Sequence, residues 1–373
     1  MSVIHSIEIN NFRGIKQLAI SDFSNINLIV GDNNSGKTTI LEAIQLLFTK
    51  PQLTAFKNVI DQRTILNSDN SSYTAFIKMF NVQLENNKME FDIYASTDKG
   101  IVEVQLSGTE KSISGEDTLQ ASKLSSRQKV QDKMASFYIP DTVKMFTGSI
   151  VTRNGNTESE KKISCTSLDH GVTGPLANKE VYYVSSFGHL RYDLLQNIVG
   201  NPEYKKLAID ILKQFDNNIV DICYTKADDG TYLETIIMNN GINMPFSVYG
   251  DGMKKIIFIL NRMFAAADSI LMIDEIETGL HKKYFDSLFP IMFALADKLN
   301  VQLFIVTHNI ESIDAILKYG NYDKNMSNID PIRVITLKKL HSDNGSGSNI
   351  AVRNVPGKYV YDNRKAFEFE VRL

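Results

Sequence analysis

An α/β fold is predicted, with a central mostly parallel sheet, an N-terminal antiparallel β subdomain and a small helical lobe. Three observations carry this expectation. The apolar run Asn27 to Val30 opens through a glycine loop into a segment whose Ile40, Leu41, Ile44, Leu47 and Phe48 recur at helical spacing. Ile270 to Ile273 and Val301 to Val306 are short, wholly apolar runs, as in strands buried on both faces. The amphipathic stretch Tyr284 to Leu299 lies between them, so strands and helices alternate.

The elements follow in order. Ile4, Ile7 and Ile9 alternate with polar residues, the chain turns at Asn11 to Gly14, and Gln17 to Ile20 resumes, which predicts a hairpin. Asn27 to Val30, the glycine loop and Thr38 to Phe48 read as strand, loop and helix. Between Ser72 and Leu106 three runs are expected as antiparallel strands, Tyr73 to Leu84, Lys88 to Ser96 and Ile101 to Gly108, with turns at Asn86-Asn87 and Asp98 to Gly100. Thr109 to Gln131 and Gly148 to Gly171 lack steady periodicity and are expected as long loops or a small insert. After Val181 to Val184, Leu190 to Ile198 and Glu203 to Phe215 have helical spacing, the basis for the helical lobe. Ile256 to Ala267 is apolar nearly all round. Ile332 to Leu337 adds a strand, followed by a polar turn at 341–348 and a β-rich tail. The expected division is 1–108, an N-terminal lobe; 109–235, inserted loops and the helical lobe; and 236–373, a C-terminal lobe.

With 43% hydrophobic and 22% charged residues over 373 positions, the composition is that of a soluble globular chain with room for more than one lobe. A net charge of -3 offers no general attraction to nucleic acid, so any such contact needs a local basic patch. Cys165 and Cys223 form no Cys-x-x-Cys pair, which argues against a disulfide framework or zinc site and fits a reducing, cytoplasmic setting. Met1 to Asn10 lacks a signal-peptide core and no run is long enough to span a bilayer, so no membrane role is expected.

The chemistry begins at Gly31-Asp32-Asn33-Asn34-Ser35-Gly36-Lys37-Thr38-Thr39. Glycines bracket a loop whose backbone N–H groups can turn onto a phosphate chain, and the following helix adds its positive dipole end. Asn33, Asn34, Ser35, Gly36, Lys37, Thr38 and Thr39 are therefore the candidate nucleotide contacts, with Lys37 on the β- and γ-phosphates and the Thr38 hydroxyl on Mg²⁺. Asp274 and Glu275 stand at the end of a buried strand, where an α/β sheet opens onto its ligand crevice. Asp274 is the second candidate metal ligand, and Glu275 the group that orients the attacking water. ATP and Mg²⁺ are the cofactors these residues imply.

Further motifs carry a family likeness. Ser247-Val-Tyr-Gly250-Asp251-Gly252 lies some two dozen residues before Asp274, Ile7 to Gly14 opens the chain shortly before the phosphate loop, and Glu277-Thr-Gly279-Leu280-His281 and Thr307-His308 follow. In this order they resemble an ABC-class ATPase of the RecF, SMC and OLD-like branch, which implies an ABC-type P-loop ATPase head that hydrolyses ATP. The resemblance implies a split site in which Ser247, Gly250 and Asp251 touch the γ-phosphate held by a second subunit, so ATP closes a homodimer or higher oligomer. It gives His308 the role of γ-phosphate switch and places Glu277 and His281 near the dimer seam, although a helix-start turn explains those two equally well. Arg13 is expected near the nucleotide, with an exposed turn arginine as the alternative. The Q-loop glutamine stays open between Gln62 and Gln131.

Within this branch, no heptad repeat runs between Leu53 and Phe246 and only a short tail follows Leu337, which points to the OLD-like group: an ATPase that controls a separate effector protein in anti-phage defence or DNA maintenance. The alternatives are a RecF-like repair ATPase on DNA, a regulatory ATP-binding scaffold with little turnover, and a membrane importer's ATPase subunit.

Overall fold

The structure, a computed structural model, describes residues 3–61, 72–81, 88–114, 142–167, 180–190, 193–323, 330–340, 349–367 and 371. The N-terminal hairpin forms as the alternation requires. Strand β1 (Ile4–Phe12) pairs antiparallel with β2 (Ile15–Ile20), and Ile4, Ile7, Ile9 and Phe12 are fully buried. Asn11 and Arg13 at the turn both take positive φ, 55° and 51°. Strand β3 (Ile26–Gly31) is buried at all six positions because strands flank it on both sides. Helix α1 (Lys37–Leu47) follows the glycine loop, then α2 (Leu53–Asp61).

The stretch from Tyr73, expected as a strand, is instead helix α3 (Ser72–Ile77). Tyr73, Phe76, Met79 and Phe80 are buried at steps of three and four, so packing follows the helical period. Strands β4 (Lys88–Thr97) and β5 (Gly100–Ser114) pair as expected around a turn at Asp98-Lys99. The Asn86-Asn87 turn lies outside the described residues. The expected loops are partly strand: β5 runs to Ser114, and β6 (Thr142–Asn154) and β7 (Thr157–Thr166) extend the same antiparallel sheet to the order β2-β1-β4-β5-β6-β7. Gly108 and Gly148 face each other across β5 and β6, and a Cβ on either would fall within 2.5 Å of its neighbours, so glycine allows the strands to close there.

β8 (Val181–Val184) forms, but within the helix expected at Leu190 to Ile198, residues 194–198 are bends and turns, and 191–192 lie outside the described residues. The expected helix at 203–215 is α4 (Pro202–Leu212), capped by the Asn201 side chain. Beside it the sequence reading missed a three-stranded antiparallel sheet, β9 (Ile219–Lys226), β10 (Tyr232–Met238) and β11 (Asn243–Pro245). Next come α5 (Asp251–Ala265), β12 (Ile270–Ile273), α6 (Phe285–Lys298), β13 (Gln302–Val306), α7 (Ile310–Tyr319), β14 (Ile332–Leu340) and β15 (Asn349–Pro356). The expected β-rich tail ends in a helix, α8 (Gly357–Phe367). The polar turn at 341–348 lies outside the described residues.

The central sheet has the order β15-β14-β3-β13-β12-β8, parallel except for the β14/β15 pair. Its strands present alternate residues to two cores. Leu28, Val30, Leu271, Ile273, Leu303 and Ile305 pack with α4, α5, α6 and α7. Ile29, Ile270, Met272, Phe304, Val306 and Ile335 pack with α1 and the antiparallel sheet. The C-terminal ends of β3, β12 and β13 therefore meet at one edge. Among the described residues no helix is long and apolar enough to cross a membrane, and Cys165 and Cys223 are not joined in a disulfide.

Candidate nucleotide site

At that edge lies a cavity of about 730 Å³ lined by Arg13, Gly14, Asn33, Asn34, Gly36, Lys37, Thr38, Thr39, Asp274, Glu275 and His308, with Lys78, Val306, Lys339 and Ile350 completing it. Segments more than two hundred residues apart in sequence converge here because β3, β13 and β12 are neighbours in the sheet.

The loop is shaped for an anion. Gly31 and Gly36 have φ of 147° and 95°, and Asn34, at 64°, is one of the few residues besides glycine that tolerates this region. A Cβ on Gly31 would lie 2.3 Å from the Leu337 carbonyl oxygen. Gly36 is the N-cap of α1 and offers no side chain to satisfy the first backbone N–H groups. Gly36, Lys37, Thr38 and Thr39 all line the cavity, so this open helix start borders it, as a phosphate site requires. The Lys37 Nζ donates to the carbonyls of Gly31 and Asp32, 2.7 Å each, and so lies folded across the loop. Burial lowers its pKa, against the opposing pull of Asp274, Asp32, Glu275 and Glu277. The Ser35 Oγ is buried and has no hydrogen-bond partner among the described residues, an orphaned polar atom in the loop itself.

Asp274, 5% exposed, follows β12 directly. Its Oδ1 accepts from the Thr38 hydroxyl at 3.2 Å and its Oδ2 from the Tyr183 hydroxyl at 3.0 Å. Thr38 and Asp274 are thus adjacent, as two ligands of one cation must be. Glu275 sits at φ 45°, a strained value for a non-glycine residue, and its carboxylate accepts from the Thr278 hydroxyl at 3.2 Å. His308 is half exposed at the cavity, with its Nδ1 3.0 Å from Glu277 Oε1, which also accepts from the His308 backbone N–H. Glu277 therefore braces the histidine. His281 caps its own turn, accepting from the Lys283 N–H.

Arg13 reaches the cavity held by a bidentate pair with the buried Glu42, Nε to Oε2 at 2.6 Å and a terminal nitrogen to Oε1 at 2.9 Å. Ser247, Gly250 and Asp251 are not brought into this cavity. They are exposed at the start of α5, beside the Glu277 to His281 turn, where a Cβ on Gly252 would lie 3.1 Å from the Gly279 carbonyl. Gln62 and Gln131 both lie outside the described residues. Sequence reasoning missed Tyr183, Glu42 and Lys255. The fully buried Lys255 donates to the Ser185 and Ser186 carbonyls, and burial brings its pKa down to about 8, opposed by Asp274, Glu277 and Glu275. A lysine at an apolar helix position, among Met253, Ile256 and Ile259, is the signal that could have found it.

Two protein-family models match, "AAA ATPase domain" over residues 3–180 and, over 150–314, an AAA domain that its description connects with the AbiEii toxin and a type IV TA system. An "ATP/GTP phosphatase" from Helicobacter pylori is 24% identical over 86% of this chain and 90% of its own length. The DNA replication and repair protein RecF of Teredinibacter turnerae is 34% identical over 21% of this chain and 20% of its own length, so that likeness spans about a fifth of the RecF chain. Among solved structures, the SMC head domain of Thermotoga maritima aligns over 94% of this chain and 98% of that one with TM-score 0.43 and 12% identity. An Smc head from Pyrococcus furiosus, solved with an extended coiled coil and the C-terminal domain of ScpA, aligns over 99% and 100% with TM-score 0.49 and 11% identity. The two family models and the Helicobacter pylori relative agree on nucleotide hydrolysis, and the chain is an ATPase.

Proposed function

We propose that this ATPase is an OLD-like head that binds ATP with Mg²⁺, closes as a homodimer on it, and thereby controls a separate effector protein in anti-phage defence or DNA maintenance. The observation that carries the reading is the division of the candidate residues. The phosphate loop, Asp274, Glu275 and His308 share one cavity, while Ser247, Gly250 and Asp251 stand exposed outside it. A serine hydroxyl and a helix start directed at solvent form an anion site that lacks a phosphate of its own. A second subunit's ATP supplies one.

Within each cavity, the residues present fit a nucleotide and its cation. The loop N–H groups and Lys37 hold the phosphates, and Lys37 gives up its two carbonyls for them. Thr38 and Asp274 hold Mg²⁺, which when bound neutralises phosphate charge. Glu275 orients the attacking water in line with the γ-phosphate, and His308, braced by Glu277, donates to that phosphate. Arg13 faces the same space.

Support for effector control comes from the second family model, whose description names a toxin and a TA system. The RecF likeness favours a second reading, action on DNA; strong, salt-dependent duplex binding by the isolated protein would select it. The test of the first reading is Glu275→Gln. ATP binding is expected to persist, phosphate release to fall about 100-fold or more, and an ATP-dependent dimer to accumulate on size-exclusion chromatography with light scattering. Unchanged phosphate release removes Glu275 from the mechanism, and a monomer at saturating ATP removes the shared site.

A further inference from the structure

We infer that Tyr183 is a positioning residue for Asp274, fixing the carboxylate so that one oxygen stays turned toward Thr38 and the bound cation. The inference rests on the Mg²⁺ assignment proposed above and extends it to a residue that none of the nucleotide motifs contains.

The geometry begins with two strands. β8 and β12 run parallel in register, pairing Tyr183 with Met272 and Val184 with Ile273. The Asp274 N–H donates to the Val184 carbonyl at 2.9 Å, so the residue after β12 is held to β8 by its backbone as well. Side chains alternate along β8: Tyr182 packs with the α5 core, whereas Tyr183 packs with the α1 core on the side of the phosphate loop. From there its hydroxyl donates to Asp274 Oδ2 at 3.0 Å, while Thr38 donates to Oδ1 at 3.2 Å.

A carboxylate held at one oxygen can still swing about its side-chain torsions; held at both, it has one orientation. Tyr183 takes Oδ2 out of competition and leaves Oδ1 beside Thr38, on the cavity. The strand end that carries Tyr183 is itself pinned, because Lys255 of α5 donates to the carbonyls of Ser185 at 3.4 Å and Ser186 at 2.9 Å. A buried ammonium is costly unless its hydrogen bonds and nearby charges compensate it, and here it binds the chain two and three residues after Tyr183, just past the end of β8. Outer partners of this kind orient a metal's ligands, and removing one characteristically weakens metal binding.

The test uses the full chain with Tyr183→Phe, which removes one oxygen and keeps the ring. Affinity for ATP is measured by calorimetry in EDTA and then across a Mg²⁺ titration, with Asp274→Asn and Tyr182→Phe alongside. The expected result is a Mg²⁺ half-saturation raised about 10-fold in Tyr183→Phe, with unchanged affinity for ATP in EDTA and an unaltered Tyr182→Phe. An unmoved Mg²⁺ requirement in Tyr183→Phe, with that of Asp274→Asn shifted, overturns the positioning role alone. If neither variant shifts, the metal assignment of Asp274 fails and the inference with it. An equal loss of affinity with and without Mg²⁺ in Tyr183→Phe assigns the tyrosine to packing and likewise overturns the inference.

Discussion

Replacing Gly31 by alanine tests whether the phosphate loop is held open by the sheet behind it. Gly31 is the last residue of β3 and pairs with Leu337 of β14, and its φ is 147°. An alanine Cβ would meet the Leu337 carbonyl oxygen at 2.3 Å and the Ser35 Oγ at 2.8 Å. The first of these is backbone, so the strands must part. A non-glycine residue in such a backbone region costs about 1–3 kcal/mol, and a weakened ladder hydrogen bond adds about 1 kcal/mol. The sum, about 2–4 kcal/mol, is a large share of a typical stability of about 5–15 kcal/mol. Scaling the per-residue unfolding entropy to 373 residues gives roughly 1–2.5 °C per kcal/mol, so Tm should fall by about 2–10 °C, and ATP affinity should fall with it. Gly36→Ala is the comparison. Its one tight contact would be the movable Cδ1 of Ile350, at 2.9 Å, with Ile15 at an ordinary 3.8 Å, so the cost is mainly that of φ 95°, about 1–2 kcal/mol. Gly14→Ala, with nothing within 4 Å of its Cβ, should be nearly silent in stability. Differential scanning fluorimetry ranks the three. A Gly31→Ala protein as stable as Gly14→Ala refutes the reasoning.

Two further predictions follow from buried charges. Glu42→Ala removes the bidentate partner of Arg13, 18% exposed at its side chain, and should destabilise by about 3 kcal/mol, whereas Arg13→Met with Glu42→Leu should recover most of that in urea titrations. Equal stability of the single and double variants would contradict the buried pair. His189, 4% exposed with an unpartnered Nδ1, has its pKa lowered to about 4, chiefly by burial and then by Lys255 and Lys254, against Asp251. Its unfolded value, 6.5, is higher, so the unfolded chain binds more protons between the two values. Stability therefore rises with pH across that window and is lost as pH falls from about 6.5 toward 4, by up to ~3 kcal/mol. His189→Phe should flatten this slope; an unchanged slope places the titration elsewhere.

The phosphate loop and the buried strands were legible because their signals are local: a fully apolar run at 270–273 can be read without its neighbours. The helix at Ser72–Ile77 was misread because β-branched and aromatic residues in Tyr73 to Ile77 favour strands, while the burial of Tyr73, Phe76 and Met79 follows a helical period. β7 was hidden for another reason: Thr157 to Lys162 is exposed at every position, so no alternation marks the strand. The β9 to β11 sheet was readable in Ile222, Ile236 and Met238, but its polar, exposed positions weaken the alternation that marks a strand. In the site, Lys37, Asp274 and His308 were found from motifs. The Arg13–Glu42 pair and the Tyr183–Asp274 bond join residues 29 and 91 positions apart, and only the packed fold brings them together.

The central claim is that the cavity between the phosphate loop and Asp274-Glu275 is where ATP is bound and cleaved. Lys37→Met keeps the length of the side chain and removes its charge. Phosphate release measured with ATP and Mg²⁺ should then fall by about 100-fold or more while the melting curve stays close to that of the wild type. Hydrolysis at the wild-type rate would place the chemistry outside this cavity and contradict the account.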